Sequence, residues 1–236
     1  MIRPTDGRLL YSNTFEDLLR EYHCDECSYS GTYPSEVLAN DPVVMSPCSS
    51  ASDRMMAFRI SPDGVVLQRC SQSRNLWRDA DGAVIYDESS GTLISLGSSG
   101  WVLTQSSVVN LETLAKVTIA GLPARSWIDT RWNAPDGFYV AVAGLTVSAA
   151  PELWRVSTSG GATLIGTYGP LPANTASPMH ARLDGSGRLF AMARDTTQSF
   201  VDVIIRREVG KASDVVYTEA NNPLVKLHIS GLVTGP

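Results

Sequence analysis

One turn recurs along this 236-residue chain and limits what it can fold into. A half-apolar run enters Ser-Pro-Asp-Gly or a close variant, and a second apolar run leaves it. The motif stands as Phe58-Arg59-Ile60-Ser61-Pro62-Asp63-Gly64-Val65-Val66-Leu67, as Trp132-Asn133-Ala134-Pro135-Asp136-Gly137-Phe138-Tyr139-Val140, and as Leu183-Asp184-Gly185-Ser186-Gly187-Arg188-Leu189-Phe190. Looser copies occupy Leu96-Gly97-Ser98-Ser99-Gly100-Trp101 and Ile229-Ser230-Gly231-Leu232-Val233. Asp-Gly or Ser-Gly supplies the positive φ of a tight hairpin, and Pro presets the turn. Recurrence at a spacing of about 35 to 40 residues implies repeated four-stranded units.

Reading strands between these turns gives the units. The first runs Met55 to Ile60, Val65 to Arg69, Asn75 to Arg78 and Ala83 to Asp87; the second Leu93 to Leu96, Trp101 to Gln105, Val108 to Glu112 and Ala115 to Ala120. The third runs Trp127 to Trp132, Phe138 to Ala143, Glu152 to Ser157 and Thr163 to Tyr168, with a longer excursion at Gly144 to Pro151. The fourth runs Met179 to Leu183, Leu189 to Arg194, Asp202 to Arg207 and Asp214 to Thr218, and a fifth begins at Leu224 to Ile229. The expected fold is an all-β propeller of five blades in one domain over residues 1–236. Residues 1–53 hold closing strands (Arg8 to Ser12 and Asp17 to His23) and a Cys-containing loop, 54–222 form four blades, and 223–236 start the closing blade. A six-bladed ring and a β-sandwich are the alternatives.

The segments Ile60-Ser61-Pro62-Asp63-Gly64, Asn133-Ala134-Pro135-Asp136-Gly137 and Glu152-Leu153-Trp154-Arg155-Val156-Ser157-Thr158-Ser159-Gly160-Gly161 resemble the repeats of TolB-like and dipeptidyl-peptidase-type β-propellers. In those families the Pro-Asp-Gly turn joins the first two strands of a blade, and a Leu-Trp-Arg-like strand lies near its outer edge. The resemblance implies a fold and not a role, since such propellers serve as platforms, lids and enzymes.

The formal net charge of -5 argues against nucleic-acid or anionic-membrane partners, which need a basic surface. No apolar run reaches bilayer length. Met1 to Gly7 carries no apolar h-region, so the expectation of an extracytoplasmic location rests on composition. Lys116, Lys211 and Lys226 are the only lysines, and charged residues make up 18%. Cys24, Cys27, Cys48 and Cys70 all fall in the first third. Two disulfides, reduced thiols and a zinc site on the Cys24-Asp25-Glu26-Cys27 knuckle are the readings left open. Asp79-Ala80-Asp81-Gly82 with Glu88 is a fragment of a calcium loop whose first ligand position falls on Trp77, and reads better as a hairpin turn. No cofactor is expected.

Aligning the first strand of each unit on its turn places Arg59, Ser95, Arg131, Arg182 and His228 at one position. Two residues earlier, on the same strand face, stand Ala57, Leu93, Asp129, His180 and Lys226. Arg59, Arg131, Arg182, Lys226 and His228 on a channel wall would form a positive site for a carboxylate or phosphate. The function expected first is a binding or protein-interaction module, with a small anionic ligand or a protein as partner. The alternative is a lyase or hydrolase of a small anionic or sugar substrate, with His180 as base and Asp129 as its partner. The five tryptophans read as packing between units rather than as a sugar platform.

Overall fold

A computed structural model of the chain describes residues 55–63, 65–70, 73–79, 81–146, 149–198 and 201–218. These residues are all-β, with two short 3-10 turns at Glu88–Ser90 and Ser98–Gly100 and no α-helix. The first sheet contains β1 (Met55–Ile60), β2 (Val66–Cys70), β3 (Leu76–Arg78) and β4 (Val84–Asp87). The second contains β5 (Ser95–Leu96), β6 (Trp101–Leu103), β7 (Ser107–Asn110) and β8 (Lys116–Thr118). The third contains β9 (Trp127–Asn133), β10 (Gly137–Val142), β11 (Glu152–Ser157) and β12 (Ala162–Thr167). The fourth contains β13 (Thr175–Leu183), β14 (Leu189–Asp195), β15 (Asp202–Arg207) and β16 (Asp214–Thr218). In each sheet the strands lie in chain order, an up-and-down meander with every neighbour joined by a hairpin or short loop.

The strands agree with the sequence reading to within a residue or two, with two main exceptions. β13 starts at Thr175, earlier than the Met179 expected, and is bulged on either side of Met179. β5 shrinks to Ser95–Leu96, although the N–H of Ile94 still donates to the Leu103 carbonyl at 2.9 Å. Leu93 therefore precedes the paired strand, escapes its alternation and turns into the core, correcting its expected place on the polar face.

The recurring turns close in different ways. At Ser61 the backbone N–H donates to Val65 O (2.9 Å) and the hydroxyl accepts from Val65 N (2.8 Å). Asp184 uses its carboxylate instead, accepting from Ser186 N (3.0 Å) and Arg188 N (2.9 Å). Gly187 has the expected positive φ of 81°. Gly137 has none: its turn holds a cis Ala134-Pro135 peptide. Glycine is required there because a Cβ would come within 2.7 Å of the Val156 carbonyl oxygen.

The chain divides into two compact units, Met1–Lys116 and Val117–Pro236. In the first, Leu67, Trp77, Tyr86, Leu93, Leu96, Val102 and Val109 form a core that packs the first sheet against the second. In the second, Ala141, Leu153, Tyr168, Leu183 and Leu189 pack the third sheet against the fourth. Alternating apolar positions on both partners explain each seam, since only one face of every strand reaches it. Each seam buries a tyrosine whose hydroxyl donates to a glycine carbonyl: Tyr86 to Gly91 at 2.5 Å and Tyr168 to Gly187 at 2.8 Å. Burial, with Glu88 and Asp87 nearby, pushes the Tyr86 phenol up to about 12, and burial pushes Tyr168 up as well.

Candidate functional site

In the second unit the two first strands, β9 and β13, lie against each other. A bulge in β9 sets Ala141 opposite Asp129 but Val142 opposite Trp127, so Ile128 is the extra residue. The insertion shifts the register on the Trp127 side only, so Asp129 stays in step with Thr130 and Arg131 and shares the face of Arg131. Its Oδ2 accepts the Leu183 N–H of β13 at 2.6 Å. Its Oδ1 lies 3.9 Å from an Arg182 nitrogen. The aspartate side chain retains 19% exposure and the arginine 49%.

Opposing effects act on that carboxylate. Burial raises its pKa and wins; the N–H groups of Leu183 and Thr130 and the charges of Arg182 and Arg131 lower it only in part. Arg182 also donates to its neighbour's carbonyl, Ala181 O, at 3.0 Å. The pair is loose and half in water, so the guanidinium keeps most of its hydrogen-bonding capacity for another oxyanion. Arg131 stands on the same strand as Asp129, half-buried.

In the first unit Arg59 is exposed, and its Nε donates to Ile94 O at 3.4 Å, linking β1 to the approach of β5. Its guanidinium also lies 5.7 Å from the centre of the Trp77 ring, and that of Arg69 lies 5.2 Å from the same ring. Trp77 is therefore flanked by two cations. Glu88 completes the group: it accepts from the Trp77 indole (2.8 Å), from Arg69 (3.1 Å) and from the Leu93 N–H (3.2 Å).

A related group occurs in the second unit. Glu152 accepts from the Trp154 indole at 2.8 Å and makes a short charged hydrogen bond with Arg125. Burial alone would raise the Glu152 carboxyl, but the Trp154 and Arg125 donors hold it below its ordinary value. Sequence reading missed both groups. Glu152 and Trp154, two apart on one strand face, were a usable signal, whereas Glu88 is brought to Trp77 only by the β3–β4 hairpin.

The expected site residues are brought together only in part. Asp129, Arg131 and Arg182 share one seam. Leu93, the expected counterpart of Asp129 in the second sheet, precedes β5 and is buried in apolar surroundings. His180 falls within β13, its side chain outside the described residues, as are Lys226, His228, Cys24, Cys27 and Cys48. Cys70 ends β2 and is buried. Asp79 behaves as a turn residue, its Oδ1 accepting from Asp81 N (3.0 Å) and Ala83 N (2.9 Å). Among the described residues no group of three His, Cys, Asp or Glu side chains could hold a metal ion. Among them too, no helix is long and apolar enough to cross a membrane. No protein-family model, curated protein or solved structure matches the chain.

Proposed function

We propose that this protein is a binding module that holds a small oxyanion, a carboxylate or phosphate, against the first strands of its sheets. The observation that carries the reading is a half-exposed Arg182 which, like Arg131, acts on the Asp129 carboxylate, itself already committed to a backbone N–H. Arginine forks match two oxygens of a carboxylate or phosphate at once, and two guanidinium groups acting on one seam attract anions to a protein that is acidic overall. In this proposal the four meanders are blades of a propeller of the TolB-like kind, with a fifth blade completed by the chain termini. Support for it comes from the repeated strand order and from the approach of first strands within each unit, β1 to β5 and β9 to β13.

An extracytoplasmic location, with Cys70 in a disulfide, fits the lysine-poor composition and belongs to the same proposal. The test is a thermal-shift titration with sulfate, phosphate and succinate. Wild type should gain several degrees in Tm at millimolar anion, as expected for a ligand that binds only the native state. Arg182→Ala, folded by circular dichroism, should lose that gain. An unchanged gain in the variant would sink the reading.

A further inference from the structure

The seam that holds the proposed site also contains an anion of its own. We propose that Asp129 is a built-in competitor: in the ligand-free protein its anchored carboxylate offsets the charge of Arg182, and an external oxyanion binds Arg182 against that charge, more tightly once the charge is removed. This rests on the anion-site reading above and adds how that site is regulated.

Three features of the geometry support it. First, the two oxygens of Asp129 are used differently. Oδ2 is fixed by the Leu183 N–H at 2.6 Å, while Oδ1 reaches Arg182 only at 3.9 Å, beyond hydrogen-bonding distance. Held by the backbone, the carboxylate makes no close fork with the arginine in this geometry. Secondly, the exposures differ: Arg182 is 49% exposed and Asp129 19%, so a ligand arriving from solvent meets the cation first. Thirdly, the backbone bond survives neutralisation. A protonated aspartic acid, or an asparagine, still offers a carbonyl oxygen to the Leu183 N–H, so losing the charge frees Arg182 without cutting β9 from β13.

The groups facing Asp129 decide what acid does. Arg131 on its own strand and Arg182 on β13 favour the ionised form, and Tyr168, after β12, stays neutral because burial raises its pKa. Burial favours the protonated form and prevails. Asp129 therefore picks up its proton at a higher pH than an exposed aspartate would, and anion affinity should rise as it does.

Sulfate is the probe, because its own charge is constant over the pH range concerned. Binding to the full chain is measured by isothermal titration calorimetry at fixed ionic strength between about pH 4 and 7. Asp129→Asn should bind sulfate about three- to tenfold more tightly than wild type at neutral pH, the range expected for removing one charge near 4 Å in a half-solvated site. Its affinity should also lose most of the wild-type rise on acidification. His180→Gln, on β13, should keep that rise; its disappearance there would assign the proton to the imidazole and overturn the proposal. Equal sulfate affinity in wild type and Asp129→Asn overturns the competitor alone and leaves the anion site standing. No sulfate binding by either overturns both. A hydrogen-exchange measurement on Leu183 N–H, protected alike in wild type and Asp129→Asn, confirms that the variant keeps its seam; loss of protection would show that Asp129 is required as a strand tie and would overturn the mechanism.

Discussion

The tripeptide Leu-Trp-Arg occurs twice, at Leu76–Arg78 in β3 and within Glu152–Ser157 in β11, each time on the third strand of its sheet. The two copies bury opposite faces. In β3 the tryptophan is core, 1% exposed, and Leu76 is at the margin. In β11 Leu153 is core, 3% exposed, and Trp154 is at the margin. Register explains the difference. Trp77 stands opposite Arg69, on the face that Leu67 also shares, whereas Leu153 stands opposite the fully buried Ala141. A strand has two faces and a period of two, so moving the core partner by one residue exchanges which side chain is hidden. Tripeptide identity therefore tells nothing about which residue holds the fold.

Each copy also recruits a glutamate to its indole, and here the contrast can be broken or sharpened by mutation. The largest effect should come from the tryptophans. Trp77→Ala empties a fully enclosed site and should cost about 3 to 5 kcal/mol, while Trp154→Ala should cost about 1 to 2 kcal/mol, read by urea denaturation. Equal losses would mean that the two strands share one register after all. A smaller difference should separate the glutamates. Glu88 is 9% exposed and serves three donors, Glu152 is 21% exposed and serves two side chains. Glu88→Gln should lower stability by about 2 kcal/mol and Glu152→Gln by about 1 kcal/mol or less; the reverse order would shift the weight to the second unit.

The smallest effect concerns what the two seams have in common. Tyr86 and Tyr168 are both kept neutral by burial, so each binds its proton more tightly folded than unfolded. That contribution is complete below the ordinary phenol value near 10 and declines as pH rises towards about 12 for Tyr86. Stability should thus fall over that window, and ultraviolet titration should show two phenols ionising late. Replacing either tyrosine with phenylalanine should remove one late phenol and cost about 1 kcal/mol for the lost hydroxyl bond. A seam tyrosine that titrates near 10 would show that its hydroxyl is open to water.

Much of the architecture was readable in the amino-acid order because its signals are local. Ser61, Asp184, Gly100 and Gly187 carry their own hairpin geometry, and strands placed between the turns agree with the observed sheets. The candidate site was readable only as a list of positions. Alternation put Arg182 and Arg131 on the polar side, but it gave Leu93 and Asp129 the same open environment. Leu93 lies outside the paired strand and joins the core, and Asp129, on the face that alternation gives it, is tied to the backbone of β13 by the Leu183 N–H. Neither outcome has a mark in the chain that period-two reading detects, because each depends on a neighbouring sheet.

Strand identity, turn chemistry and the all-β class were determined by sequence alone, because each depends on residues within a few positions of one another. Tertiary structure decided which face of each Leu-Trp-Arg strand became core, that Glu88 would serve Trp77 and Leu93, and that Asp129 would bind the backbone of β13. Those outcomes depend on register and on the approach of sheets from distant parts of the chain, where a shift of one residue reverses the result.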